Sequence, residues 1–223
     1  IGMPDSIIID HITVNGDAGI VSGNQADKTA VIRVGSMDIN AGELDLSGVS
    51  TDASKAYDQD ENFASKTVSL AALNQSVQIN MNTATSKLTL GNLGSDEKTP
   101  VALDVRFKKD ALESDNSSVT VKNGSTIAEG AAIEVTAVDG ILAGKTAQET
   151  AQAAATKVFN DDSKSALENI KDRKATVAAS GVDEGYTYDI DENGQINAAS
   201  LVMTENTTTH AFSQLSAVNY MQW

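Results

Sequence analysis

The side chains whose spacing best suits chemistry lie near the C-terminal end of the chain. Asp189, Asp191 and Asn193 occupy alternate positions and are followed by Gly194, as in the first half of an EF-hand calcium loop. The twelfth position of such a loop supplies a bidentate Glu, and here it holds Ser200. Because that ligand is missing and the flanking residues alternate like strands, the sequence favours a turn, and we predict no metal site.

The two histidines are the candidates for imidazole catalysis. His11 follows Asp10 in a strand-like run, and His210 begins a helical pattern near the C-terminal end. A Ser–His–Asp triad needs three converging side chains and donors for the oxyanion, and no Gly-x-Ser-x-Gly elbow marks a nucleophile. We therefore expect both histidines to be solvated or strand-face residues, and we predict no catalytic residue.

Carboxylates form clusters, for example Asp58, Asp60 and Glu61, or Asp110, Glu113 and Asp115. Polysaccharide-acting enzymes built on β-helices use acidic residues along a groove, and sugar rings stack on exposed aromatic side chains. Only 4% of the residues are aromatic. Solvated acidic loops are the simpler interpretation, and a polysaccharide-acting enzyme remains an alternative.

Composition excludes several classes of protein. The 223 residues include 16 Lys and Arg against 31 Asp and Glu, for a net charge of −15. Such an acidic surface repels phosphate backbones and anionic lipids, so no nucleic-acid partner is expected. The absence of cysteine excludes disulfides and thiolate metal sites. No apolar run approaches the roughly twenty residues that span a bilayer, so this segment is not expected to insert into a membrane.

Most of the chain reads as short strands, and residues 1–143 are assigned to one β-rich unit. The apolar or alternating runs are Ser6–Val14, Ala30–Val34, Met37–Ile39, Leu44–Leu46, Val68–Leu73, Val77–Met81, Lys87–Leu90, Val101–Phe107, Val119–Val121 and Ile133–Val138. Scarce aromatics, two prolines and Asn at many turns favour a right-handed β-helix, or solenoid, in which Asn can form ladders between rungs. A β-sandwich is the alternative, because the spacing is irregular.

The hydrophobic period changes over residues 144–180, which we predict to be an inserted helical hairpin. Thr146 and Glu149 form a capping-box pattern, and the Ala-rich stretch 147–159 follows as the first helix. Asn160 and the next residues break it, and a second helix is expected from about residue 163 to Lys174. The pair would act as a lid over the last rung and so protect an exposed strand edge.

Residues 181–209 are predicted to form a closing β-hairpin followed by a polar spacer. Apolar and polar residues alternate on both sides of Asn193-Gly194, a pair that supplies the two positive-φ positions of a type I′ turn. The apolar residues expected to make this unit a folding template are Tyr186, Tyr188, Ile190, Ile196, Leu201 and Val202.

Residues 210–223 are predicted to start a helix, since Phe212, Leu215, Val218 and Met221 are three apart. The order of hairpin, polar spacer and Ala217–Trp223 resembles the junction between passenger and outer-membrane barrel in type V autotransporters. The family's charged continuation and barrel do not follow in this sequence. Since the chain starts without a signal peptide and stops at Trp223 without a helix cap, we expect it to be a piece of a longer protein.

The resemblance implies a non-enzymatic surface protein: the C-terminal passenger segment of an autotransporter, which templates folding and export and supports adhesion or autoaggregation. It would be extracellular and tethered to the outer membrane of a Gram-negative bacterium. Its implied partners are its own barrel domain and host-surface or self-association ligands, and no cofactor is implied. A binding module of a phage or surface-layer assembly is a further alternative.

Overall fold

A computed structural model describes residues 6–20, 30–49, 68–94, 100–178 and 185–204. The protein is mainly β, as predicted. The strands are β1 Ser6–Asn15, β2 Ala18–Gly19, β3 Ala30–Ala41, β4 Glu43–Asp45, β5 Val68–Ala72, β6 Val77–Met81, β7 Lys87–Leu90, β8 Ala102–Phe107, β9 Ser118–Val121, β10 Ala132–Ala137, β11 Asp172–Ala178, β12 Gly185–Ile190 and β13 Ile196–Thr204. The helices are α1 Lys109–Glu113, α2 Ala147–Val158 and α3 Lys164–Leu167, with a 3₁₀ turn at Ser47–Val49.

Nine strands form a large mixed sheet in the order β1-β3-β6-β8-β10-β11-β12-β13, with β5 beside β3. The pairs from β1 to β11 are parallel, and the last two pairs, β11 with β12 and β12 with β13, are antiparallel. A smaller parallel sheet runs β2-β4-β7-β9. In sequence, β2 lies between β1 and β3, β4 between β3 and β6, β7 between β6 and β8, and β9 between β8 and β10. Up to β10 the chain therefore passes back and forth between the two sheets, and from β10 onward the strands all belong to the large one.

The core lies on the inward face of the large sheet, where apolar side chains from neighbouring strands stack in register. One column consists of Met37, Ile79, Val105, Val135 and Ala175, which are paired in sequence along five strands and are all 0% exposed. Strands alternate buried and half-buried residues, as in β6 and β8, because successive side chains point to opposite faces. Aliphatic residues of moderate size therefore fill the core, as the low aromatic content indicated.

The first predicted helix is confirmed. The side chain of Thr146 accepts a hydrogen bond from the Glu149 N–H at 3.1 Å, and the Glu149 carboxylate accepts one from the Thr146 N–H at 2.8 Å, which completes the capping box. The hydrogen bond that the Thr146 backbone N–H donates to the Glu149 carboxylate lowers the pKa of that carboxyl group, and the Thr146 side chain lowers it further.

The second predicted helix is wrong beyond one turn. Helix α3 ends at Leu167, and the residues from Asp172 onward form β11 between β10 and β12. Ala175 and Val177 are buried while their neighbours are half-buried or exposed. This two-residue alternation suits a strand, and pairing on both sides outweighs the local helical propensity of the Lys-rich stretch before it.

The predicted hairpin is confirmed as β12 and β13, but its turn differs from the type I′ prediction. Gly194 N–H donates to the Asp191 carbonyl at 3.0 Å, and Asp191 N–H donates to the Gln195 carbonyl at 2.8 Å. Gly194, with φ 77°, thus follows the turn instead of lying at its centre with Asn193. This pattern is typical of a three-residue loop with a bulge at a left-handed glycine.

Among the described residues, no helix combines the length and apolar character needed to cross a bilayer. The acidic cluster at residues 58–61, the spacer after Thr204, and the C-terminal helix predicted for 210–223 with His210 lie outside the described residues.

Candidate functional site

The outward face of the large sheet carries polar side chains in rows that follow the strand register. One row contains Ser36, Gln78, Asp104, Glu134 and Lys174, each paired with the next along the sheet. Parallel strands place such residues about 4.8 Å apart, so each side chain lies within reach of its neighbours in the row. The large sheet therefore presents a polar surface on which functional groups of neighbouring strands meet.

At the first two strands of this face, the structure brings together a histidine, a serine and an aspartate. His11 on β1 lies with Nδ1 2.6 Å from the Ser36 hydroxyl oxygen. Its Nε2 lies 3.3 Å from Oδ2 of Asp38, and the two side chains are 44% and 36% exposed. His11 is thus an exposed residue on the face of β1, in agreement with the prediction of a solvated or strand-face residue, and it is held between a hydroxyl group and a carboxylate.

The Asp38 carboxylate is oriented from its other side. Asn80 on β6 donates from Nδ2 to Oδ1 of Asp38 at 2.6 Å, and Gln78 donates from Nε2 to Oδ1 of Asn80 at 3.1 Å. One carboxylate oxygen is therefore bound by an amide and the other faces imidazole. The result is a chain of hydrogen bonds across three strands that fixes Asp38 relative to the ring.

The same region contains an asparagine ladder. Asn82 donates from Nδ2 to Oδ1 of Asn40 at 2.9 Å, and Asn40 donates from Nδ2 to Oδ1 of Asn15 at 3.0 Å. The prediction that turn asparagines connect successive strands is confirmed at Asn82. Such stacked amides pair both their donors and their acceptors along the stack.

Further along the outward face, Asp104 and Glu134 are paired residues of β8 and β10. Burial raises the pKa of the Asp104 carboxyl group, the Arg106 guanidinium lowers it, and the Glu134 carboxylate raises it again. The Glu134 carboxylate accepts a hydrogen bond from the Thr176 hydroxyl group at 2.9 Å. These carboxylates border a depression of about 190 Å³ whose lining includes Lys174 and no aromatic ring.

The C-terminal end of the smaller sheet is covered by α2 and the turn after it. Asn160 donates from Nδ2 to the Val119 carbonyl at 3.0 Å and lies 3.4 Å from the Thr120 hydroxyl oxygen. Both partners belong to β9, the last strand of that sheet. A side-chain amide thus pairs a carbonyl that a further strand would otherwise bind, which is how proteins protect strand edges.

The covering helix is also attached to the closing hairpin through one side chain. Gln152 donates from Nε2 to the Gly194 carbonyl at 3.1 Å, and its Oε1 accepts from the Ile196 N–H at 2.8 Å. A Cβ atom on Gly194 would lie 2.8 Å from Cβ of Phe159, which shows how closely the hairpin turn approaches the end of α2. Helix and hairpin therefore form one packed unit, here called the cap.

A groove of about 550 Å³ runs where α2 lies beside the α1–β9 segment. Leu112, Leu142 and Ala153 form part of its lining, together with Lys157. The Lys157 ammonium group donates to the Ser114 carbonyl, and burial lowers its pKa while Asp115 raises it. This lysine links α2 to the segment between α1 and β9, so the groove lies along the boundary between the cap and the parallel strands.

The half calcium loop is used as a turn. Oδ1 of Asp191 accepts the N–H groups of Asn193 at 2.8 Å and Gln195 at 2.9 Å. Across the described part of the chain, no group of three acidic or histidine side chains is arranged to hold a metal ion.

The predicted template residues lie in the cap. Tyr188 and Ile190 are buried in the core, and Tyr186 and Ile196 pack against it. Leu201 and Val202 lie within β13, and their side chains lie outside the described part of the structure.

Sequence reasoning missed Ser36 and Asp38 as partners of His11. A signal was present in the spacing: His11 and Ser36 are 25 residues apart, as are Asn15 and Asn40. Equal separations of polar residues indicate neighbouring parallel strands in register, and Ser36 and Asp38, two apart in a strand, then fall on one face. The sequence could have suggested the grouping once this repeat length was recognised.

Comparison of the chain with models of known families, with curated proteins and with solved structures finds no match.

Proposed function

We propose that this chain is the C-terminal passenger segment of an autotransporter-like surface protein, and that its cap is the template on which the rest of the chain folds during export. The observation that carries the proposal is the Gln152 contact, which joins α2 to the hairpin at two backbone groups. This role needs no cofactor and no catalysis.

The body is proposed to be a right-handed β-solenoid with the two parallel stacks as its faces. Support comes from parallel in-register pairing between strands that are consecutive in each sheet, because crossovers between parallel strands of one sheet are right-handed in about 98% of cases. A third line of contact, the bridges Leu70–Leu93 and Leu93–Ile127, is also parallel. A β-sandwich with hairpins would instead pair consecutive strands antiparallel.

The two ends of the described stack differ, and this difference gives the proposed folding its direction. At the C-terminal end, antiparallel β12 and β13 follow β11, and α2 covers β9. At the other end, β1 is the outermost strand of the described sheet, and Ile7 and Ile8 are 39% and 64% exposed. Local pairing in a hairpin forms faster than parallel pairing between distant strands, so the cap is expected to fold first.

Pulse-labelled hydrogen exchange during refolding tests this order. Amide groups of α2, β12 and β13 should gain protection before those of β1 and β3. Earlier protection of β1 and β3 would overturn the template role, whatever the final stability of the chain.

Surface display provides the cellular test. In a passenger joined to an outer-membrane barrel, deletion of Gly181–Met203 should lower export or leave the displayed segment protease-sensitive. The control is the single variant Gln148→Ala, on the same helix as Gln152 but exposed. Unchanged display and protease resistance after the deletion would contradict the proposal.

A further inference from the structure

We propose that Ser36, His11 and Asp38 form a hydrolytic site for carboxylic esters on the outward face of the sheet. The inference goes beyond the folding role and does not depend on it. It starts from a grouping that parallel pairing alone produces: His11 is the register partner of Ser36, and Thr13 is the partner of Asp38. Ser36 and Asp38 are two residues apart on β3, and the pairing places the imidazole of His11 on β1 between the hydroxyl group of the one and the carboxylate of the other.

One tautomer of neutral His11 fits both contacts and the chemistry. With its proton on Nε2, neutral His11 donates to Asp38 across 3.3 Å. Nδ1 then has a free lone pair, which accepts the Ser36 O–H at 2.6 Å. A serine hydroxyl group bound to a basic imidazole nitrogen, with a carboxylate on the other nitrogen, is the arrangement that activates serine as a nucleophile. In serine proteases Nε2 of the histidine faces the serine and Nδ1 faces the aspartate. Here the two nitrogens are exchanged, but their roles are the same.

The reaction divides into two balanced steps. Ser36 Oγ attacks the ester carbonyl carbon while its proton passes to Nδ1 of His11; the C–O bond to the alcohol then breaks, and His11 returns the proton to that oxygen. Water next attacks the acyl-serine, giving its proton to His11, and the Ser36–acyl bond breaks with the proton returned to Ser36. The products are one alcohol and one carboxylic acid, with no oxidant or cofactor consumed.

Gln78 is the candidate donor for the oxyanion. It is the register partner of Ser36 on β6, so both side chains lie on the same face at the spacing of neighbouring strands. A side-chain amide nitrogen has two hydrogens, and one of them binds Asn80. The second hydrogen can point at the oxygen that becomes negative when Ser36 attacks, as side-chain amides do in other acyl-transfer enzymes.

The position of the site indicates the class of substrate. His11 is exposed and Ser36 is half-buried, on a sheet face lined with polar rows. Such an open polar face suits a small acyl group carried by a larger hydroxyl-rich molecule, because the hydroxyl groups of that molecule can bind the neighbouring Asn and Gln side chains. We therefore assign small O-acyl esters, such as acetyl esters, as the substrate class.

The test uses the full chain with 4-nitrophenyl acetate and a fluorophosphonate probe. The probe should attach to Ser36 in the wild-type chain, where Oγ displaces fluoride from phosphorus, and peptide mass spectrometry locates the adduct. Ser36→Ala and His11→Ala should each lower kcat/KM roughly 100-fold or more, the scale of general base catalysis. His210→Ala and Ser118→Ala, both of which leave Ser36, His11 and Asp38 intact, should retain the wild-type rate.

Asp38 is a positioning residue, so its variant is read through the separate constants. Asp38→Asn should lower kcat and leave KM unchanged, because it misorients the imidazole without contacting the ester. The proposal is overturned if the probe labels Ser36 no more than Ser118, or if hydrolysis by Ser36→Ala equals that of the wild type. Labelling of the wild-type chain decides the question even if a variant fails to fold.

Discussion

Replacement of Gln152 by alanine tests whether helix α2 and the closing hairpin are one unit. The variant removes a donor to the Gly194 carbonyl and an acceptor for the Ile196 N–H. Each lost hydrogen bond costs about 0.5–1.5 kcal/mol, and more where the partner stays desolvated. Gly194 is buried and Ile196 is half-buried. Alanine returns a few tenths of a kcal/mol through its higher helix propensity, so we expect a net loss of about 2 kcal/mol.

Urea unfolding followed by circular dichroism measures this loss. In thermal unfolding of a domain of this size, the same loss should lower the melting temperature by about 4–8 °C. Gln148→Ala is the matched control, since it makes the same substitution at an exposed position of α2 and should change stability by less than about 0.5 kcal/mol.

Native-state hydrogen exchange gives a local readout of the same variant. The Ile196 amide should exchange faster in Gln152→Ala than in Gln148→Ala, because its acceptor has been removed. Equal stabilities of the two variants, together with unchanged exchange at Ile196, would refute the idea that Gln152 joins helix and hairpin.

Three further variants test other parts of the structure. Gly194→Ala should destabilise the chain more than Gly124→Ala in urea unfolding. Both glycines have positive φ, but of the two only Gly194 would bring a new Cβ within 4 Å of a neighbour. Equal losses in the free energy of unfolding would refute the close approach. Asn160→Ala should cost about 1–3 kcal/mol by leaving a β9 carbonyl unpaired, and should increase self-association measured by sedimentation, whereas an unchanged sedimentation profile would contradict edge protection. Asp104→Asn should stabilise the protein at neutral pH. Burial raises the pKa of this carboxyl group in the folded state above its value in the unfolded state. Ionisation of Asp104 therefore opposes folding as pH rises through the folded pKa, and the stability gained by Asp104→Asn should vanish at a pH below both pKa values. An equal gain in stability at acid pH would refute this cause.

Local sequence was sufficient for most of the strands and for the first helix. Runs such as Val77–Met81 and Lys87–Leu90 coincide with β6 and β7, because alternation of apolar and polar residues reports which side chains face the core. The capping box at Thr146 also formed as predicted, since its hydrogen bonds join residues only three apart. Both signals act within one element, so no knowledge of distant residues was needed.

Predictions failed where a distant partner decided the outcome. Residues from Asp172 onward became a strand because β10 and β12 lie on either side of them. The turn at Gly194 shifted by one position because Asp191 accepts two backbone N–H groups and α2 packs against the glycine. Local propensity differs by a few tenths of a kcal/mol between such alternatives, which is less than the contribution of tertiary hydrogen bonds and packing.

By itself, the sequence determined that the chain is mainly β, that its core is aliphatic, and that its surface is strongly acidic, because composition and two-residue periodicity depend on neither register nor topology. Only the tertiary structure decided which strands are neighbours. That decision placed His11 against Ser36, 25 residues away, and Gln152 against Ile196, 44 residues away. Parallel pairing joins residues whose separation depends on the lengths of the intervening loops, and those lengths vary along this chain. Contacts between strands therefore follow the register, of which the sequence carried a sign in the separation of 25 residues shared by His11–Ser36 and Asn15–Asn40.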